Sequence, residues 1–85
     1  ELQAGVVAQV REWRDGRARL SVRNRIRSGE RLELLTPSGE DAIVATDLVN
    51  HREENVELLQ PGLENCWIDL AHDPGPWSFL VRRLG

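Results

Sequence analysis

The chain has 85 residues, 40% of them apolar and 29% charged, with a formal charge of −3. That supports a single domain, 1–85, with a small core, and excludes a second domain or a deep enclosed pocket, because a chain of this size buries only about 60% of the surface its unfolded form exposes. The negative balance argues against a wholesale nucleic-acid or anionic-membrane binder, no apolar run reaches the ~18 residues of a membrane span, and the lone Cys66 excludes an internal disulfide and a Cys-rich metal site.

Val6, Ala8 and Val10 alternate with polar residues, and Arg17 to Arg23 alternates without a break, so both runs read as strands with one face toward a core. Between them lies Arg14-Asp15-Gly16. Pairing Val10 with Leu20 and Ala8 with Val22 sets apolar residues opposite one another and leaves those three residues as the loop. A two-residue Asp15-Gly16 turn would instead set Arg11 against Leu20. The favoured register places Trp13 beside Arg17, Arg11 beside Arg19 and Gln9 beside Ser21 on the outer face.

Arg31 to Leu35 reads as a third strand, closed by the Thr36-Pro37-Ser38-Gly39 turn, and Asp41 to Val49 as a fourth. A polar stretch from Asn50 to Asn55 leads to a short apolar run, Val56 to Leu59. Leu63 to Leu70 supplies another strand, with Trp67 and Ile68 in it. Asp73-Pro74-Gly75-Pro76 breaks the chain, and Phe79 to Leu84 is a last strand or a single helical turn. Short strands with turn signals every 8 to 12 residues predict an all-β fold, a small closed β-barrel of about six short strands, since closure protects the edges of so short a chain.

All eleven basic residues are Arg, and eight of them fall between Arg11 and Arg31, where the local balance is +5 against −8 elsewhere. Arg17, Arg19 and Arg23 share the outer face by alternation, Arg11 joins them by register, Arg25 and Arg27 extend the stretch, and Trp13 offers a stacking surface at the mouth of the hairpin. Small barrels use this combination on RNA or single strands. The same face also reads as a solvated surface whose Arg stems cover apolar neighbours, or as a face that docks on an acidic partner domain.

Catalytic and cofactor motifs are missing: there is no GxGxxG, GxxxxGK, HExxH or CxxC, and no serine has a nucleophile-elbow context. His51 and His72 read as loop histidines with acidic neighbours, and Cys66 as an inert, partly buried thiol suited to a reducing cytoplasm. No metal and no cofactor is expected in this domain. The chain has no Met and opens at Glu1 without a signal peptide, so it is expected to be a piece of a longer protein.

Asn24-Arg25-Ile26, followed by Gly29-Glu30-Arg31-Leu32-Glu33-Leu34-Leu35-Thr36-Pro37-Ser38-Gly39, resembles the C-terminal domain of the collagenase-like peptidase family, peptidase family U32. Ala4-Gly5-Val6-Val7 is similar to that family's domain opening, Val56 to Gly62 to its valine, proline-or-histidine, glycine segment, and Phe79-Leu80-Val81-Arg82-Arg83 to its ending. Glu30 stands where Asp is usual, Ile26 where an aromatic is usual and Val81 where Leu is usual. The resemblance implies a non-catalytic accessory barrel, similar to those of translation elongation factors, appended to an upstream catalytic domain of the same chain. Members of the family are described as peptidases, and others take part in RNA hydroxylation. The expected role is therefore recognition or positioning of a protein substrate, with RNA binding in an RNA-modifying member as the alternative.

Overall fold

The computed structural model describes residues 4–83, and among them every regular element is a strand. In chain order these are β1 (Ala4–Arg14), β2 (Arg17–Val22), β3 (Ile26–Arg27), β4 (Arg31–Thr36), β5 (Gly39–Val44), β6 (Leu58–Leu59), β7 (Cys66–Asp69) and β8 (Ser78–Arg83). Six of them form one curled sheet in the order β5-β4-β8-β1-β2-β7, and β3 pairs with β6 in a second, two-stranded sheet. Of the last predicted strand, Leu84 lies outside the described residues.

The expected pairs Ala8 with Val22, Gln9 with Ser21 and Val10 with Leu20 are all present. The loop differs. Arg14 pairs with Arg17 across a two-residue turn in which Asp15 (φ 51°) and Gly16 (φ 81°) are both left-handed, the backbone twist that suits a hairpin. Turn and apolar match coexist because Arg11 is an extra residue, a β-bulge between Val10 and Glu12. Glu12 therefore faces Arg19 and Trp13 faces Ala18, where the sequence had suggested Arg11 and Arg17. A second bulge, against β8, falls at Val7: it buries Val7 fully and turns Val6 outward, so the Val6-Ala8-Val10 period is broken at its first member.

Leu20 and Ala18 from β2, Leu32 and Leu34 from β4, Cys66 and Ile68 from β7 and Leu80 from β8 meet on the concave side of the sheet. Ile26 and Leu59 of the small sheet close over them. Burying one such side chain contributes roughly 1.5–3 kcal/mol. Gly29 makes the tight bend into β4 at φ 86°, outside the range comfortable for a side chain.

The sheet is not a closed barrel, because β5 and β7 are its two ends and do not pair. The predicted strand from Asp41 to Val49 stops at Val44. Ala45 instead bonds back to the β3–β4 bend, donating to Glu30 and accepting from Gly29, and Asp47 is left-handed, so the extended run is lost. The link that follows crosses the gap: Thr46 O accepts from Asp69 N at 3.1 Å, and Val49 and Trp67 exchange hydrogen bonds of 2.9 and 2.8 Å. Charge protects the other end. Glu40 and Asp41 lie on exposed β5, and the Asp41 carboxylate accepts from the Ala42 N–H at 3.0 Å.

Candidate binding face

The Arg11 bulge decides which side chains share the outer face of β1, β2 and β7. Glu12 sits between two arginines, accepting from Arg14 at 2.5 Å and from Arg19 at 2.9 Å. Hydrogen bonds from Arg19 first and Arg14 second hold its carboxyl below the usual range. Arg19 also donates to the Asn65 side chain at 3.1 Å, and Ser21 donates to the Glu64 carboxylate at 2.6 Å. Exposed ion pairs of this kind contribute little to stability, but they fix where the guanidinium groups lie.

Alternation along β7 turns Cys66 and Ile68 into the core and Trp67 and Asp69 outward. Trp67 faces Arg19, and the Arg17 guanidinium lies over the Trp67 ring at 5.4 Å from its centroid, a cation–π arrangement. Beside them runs an open groove of about 380 Å3, whose lining includes Arg14, Asp15, Arg17, Val49, Glu53 and Trp67. Its far wall is a loop pinned by Asn50, whose side-chain oxygen accepts from Arg52 N and Glu54 N at 2.9 and 3.0 Å. Glu53 in that loop is left-handed (φ 63°), an uncommon state for Glu and one that surrounding structure must enforce. Next to the groove, the neighbouring Asp47 carboxyl holds Asp69 above its ordinary value, with burial adding to the effect and Arg17 opposing it.

The seven residues Arg11, Trp13, Arg17, Arg19, Arg23, Arg25 and Arg27 do not form one face. Arg17 and Arg19 stand together beside Trp67. Arg11 is exposed at the bulge. Trp13 packs against the core and its indole N–H donates to Leu70 O at 2.8 Å, so its ring is an inner-face side chain. Arg23, Arg25 and Arg27 lie beyond the other end of β2, with Arg23 about 20 Å along the chain from Arg17 at about 3.3 Å per residue. There they join Arg31, and all four are exposed without an ion pair among the described residues. That end is braced by Arg82, which bonds both the Glu30 carboxylate and the carbonyl of Arg25. Burial alone would raise the Glu30 carboxyl, but its bonds from Arg82 and from the Arg27 N–H outweigh this and lower it. Glu33 pairs with Arg83 of β8 rather than with the basic stretch.

Trp67, Glu12 and Asn65 were not singled out from sequence. For Trp67 the signal was present: it alternates with apolar Cys66 and Ile68, so the side opposite the core was its only place. Cys66 is fully buried, and burial pushes its thiol up. His51 and His72 are exposed, and among the described residues no group of three or more His, Cys, Asp or Glu is placed to hold a metal ion.

Fold and surface together define an all-β domain that offers shallow, mixed-charge grooves. The family model for the peptidase family U32 C-terminal domain matches residues 3–82, and the chain belongs to that family. Two solved structures share the fold. Both are of the C-terminal domain of a Geobacillus thermoleovorans protein classed with the U32 peptidases, one of them a selenomethionine variant. The variant has a TM-score of 0.81 at 15% identity over 91% of this chain and 98% of that one. The other has a TM-score of 0.80 at 15% identity over 95% and 93%. No curated protein matches the sequence.

Proposed function

We propose that this domain is a non-catalytic accessory module of a peptidase-family protein, one that holds a segment of a protein substrate in the Trp67 groove for an upstream catalytic domain of the same chain. The observation that carries the reading is the Arg17 guanidinium lying over the outward Trp67 ring at the groove wall. An aromatic and a guanidinium stacked on each other present apolar and charged contact at little further ordering cost, the composition of binding hot spots. Asp15 and Glu53 line the same groove as Arg14 and Arg17. That alternation of sign suits a polypeptide, which carries both charges and backbone dipoles, better than a polyanion. A reducing cytoplasm suits the free buried thiol of Cys66. The test is titration of the 15N-labelled domain with α-casein, an unstructured protein. The Trp67 indole N–H and the amides around Arg17 should shift, and Trp67→Ala should weaken binding about tenfold. Titration that leaves these signals in place would overturn the reading.

A second reading, RNA binding, is favoured by Arg23, Arg25, Arg27 and Arg31, which are exposed and free of ion pairs among the described residues. It predicts that the domain retards labelled transfer RNA at low salt, that added salt releases it, and that Arg25→Glu with Arg27→Glu abolishes the shift.

A further inference from the structure

Two departures from regular β-structure meet at one place. β1 runs to Arg14, but its neighbour β8 begins only at Ser78, which pairs with Val10. On one side Glu12, Trp13 and Arg14 pair with β2. On the other, the Arg11–Arg14 stretch overhangs β8, and the turns, loops and links supply it with no backbone hydrogen bond among the described residues. β8 does not extend back to cover this edge because the residue before it, Trp77, is left-handed at φ 63° and turns the chain away. A bulky aromatic in that region of backbone space is a genuine outlier, kept only where the surroundings over-determine it.

The surroundings here do so. Ser78 is fully buried, and its hydroxyl donates to the carbonyls of Pro74 and Gly75, at 3.1 and 2.8 Å. The Asp73 carboxylate accepts from the Gly75 N–H at 2.9 Å. The loop is tied down, yet Trp77 itself is 73% exposed, the barest of the large apolar side chains among the described residues. Between loop and overhang lies a cavity of about 240 Å3, lined by Arg11, Glu12, Trp13, Asp73 and Pro76 among others. The bulge leaves Arg11 exposed at its rim, as bulges do where a side chain is re-aimed.

We propose that the open edge of β1 at Arg11–Arg14, together with Trp77, the residue before the β8 end that pairs with Val10, docks an extended peptide strand. The peptide would lie where β8 would have continued and exchange backbone hydrogen bonds with Trp13, with one of its side chains in the cavity and another against the Trp77 ring. Arg14 and Glu12 turn their backbone groups toward β2, so the N–H and C=O of Trp13 face the open side, and an extended backbone is the complement of such a pair, which selects this ligand class. Arg11, Glu12 and Asp73 at the rim then choose among peptides by charge. The proposal deepens the substrate-binding reading by fixing polypeptide as the ligand class, at a site separate from the Trp67 groove.

The experiment is amide hydrogen exchange of the 15N-labelled domain with and without α-casein, together with affinity measurements on Trp77→Ala and Trp77→Gly. Exchange of at least one amide in Arg11–Arg14 should slow tenfold or more on binding, and both variants should bind about tenfold more weakly, while Trp77→Gly melts no lower than the parent because Gly relieves the left-handed strain. The Trp67 indole signal reports the groove separately, so its stillness would sink only the groove reading. Unprotected Arg11–Arg14 amides in the presence of casein, or unchanged affinity in the Trp77 variants, would overturn this proposal. Stronger protection of the same amides by polyuridylate than by casein would do the same.

Discussion

The two arginine-rich regions of this domain differ in what their guanidinium groups face. On the outer side of β1, β2 and β7, Arg14 and Arg19 share Glu12 and Arg17 lies over Trp67, while Arg11 is exposed at the bulge. Around β3, Arg23, Arg25, Arg27 and Arg31 stand in solvent, and the ion pair there, Arg82 with Glu30, secures backbone beneath them. The same residue type therefore does two kinds of work. Where alternation pins the backbone and a carboxylate or ring lies within reach, arginine builds a shaped surface; where the chain bends between short strands, it supplies field without shape.

If both regions sit on one continuous core, truncation under either should cost the same. Leu20→Ala beneath the outer face and Ile26→Ala beneath the β3 region should each lose about 3 kcal/mol in urea denaturation, since both side chains are fully buried. A loss below about 1 kcal/mol for Ile26→Ala would detach the β3 region from the core. Arg82→Ala should cost less, about 1–2 kcal/mol, because it frees a half-buried Glu30 and the Arg25 carbonyl together. Smaller still, alanine at Arg23, Arg25, Arg27 or Arg31 should change stability by no more than about 0.5 kcal/mol in thermal melts, and a larger loss would mean those head groups have structural partners.

The smallest effects concern pH, and they have opposite signs in different carboxyls. Glu12 and Glu30 are lowered, so the stability they contribute is present at neutral pH and is lost as pH falls through and below the ordinary carboxylate range. Asp69 is raised by its Asp47 neighbour, so just above its ordinary value the folded chain holds more proton than the unfolded one, and stability falls as pH rises through that window. Melting temperature should therefore rise slightly on mild acidification before it drops. Asp47→Asn should remove the rise and keep the drop. A variant that keeps the rise would place its origin elsewhere.

Alternation and turn chemistry made most of the fold readable: the β1–β2 register, the Thr36–Gly39 turn and the inward Leu32 and Leu34 all follow from residue type. The two bulges did not, because an extra residue at Val7 or Arg11 leaves no mark in composition, and each one reverses the side chains before or after it. That reversal is why Trp13 is an inner residue and Trp67, across the sheet, is the aromatic beside Arg17. Closure was misread for a related reason. The run from Asp41 to Val49 looks like one strand, yet the hydrogen bonds that Ala45 makes with the Gly29–Glu30 bend end it early. The basic stretch was visible as a charge count, while its division depends on where β2 ends, a matter of geometry in three dimensions.

The division of labour between the two regions is tested most directly by casein affinity in two variants at about 150 mM salt, where surface fields reach only ~8 Å. Trp67→Ala should weaken binding about tenfold, and Arg25→Glu with Arg27→Glu should change it less than twofold. The reverse order, with the charge-reversed Arg25 and Arg27 variant losing affinity and Trp67→Ala keeping it, would contradict the account.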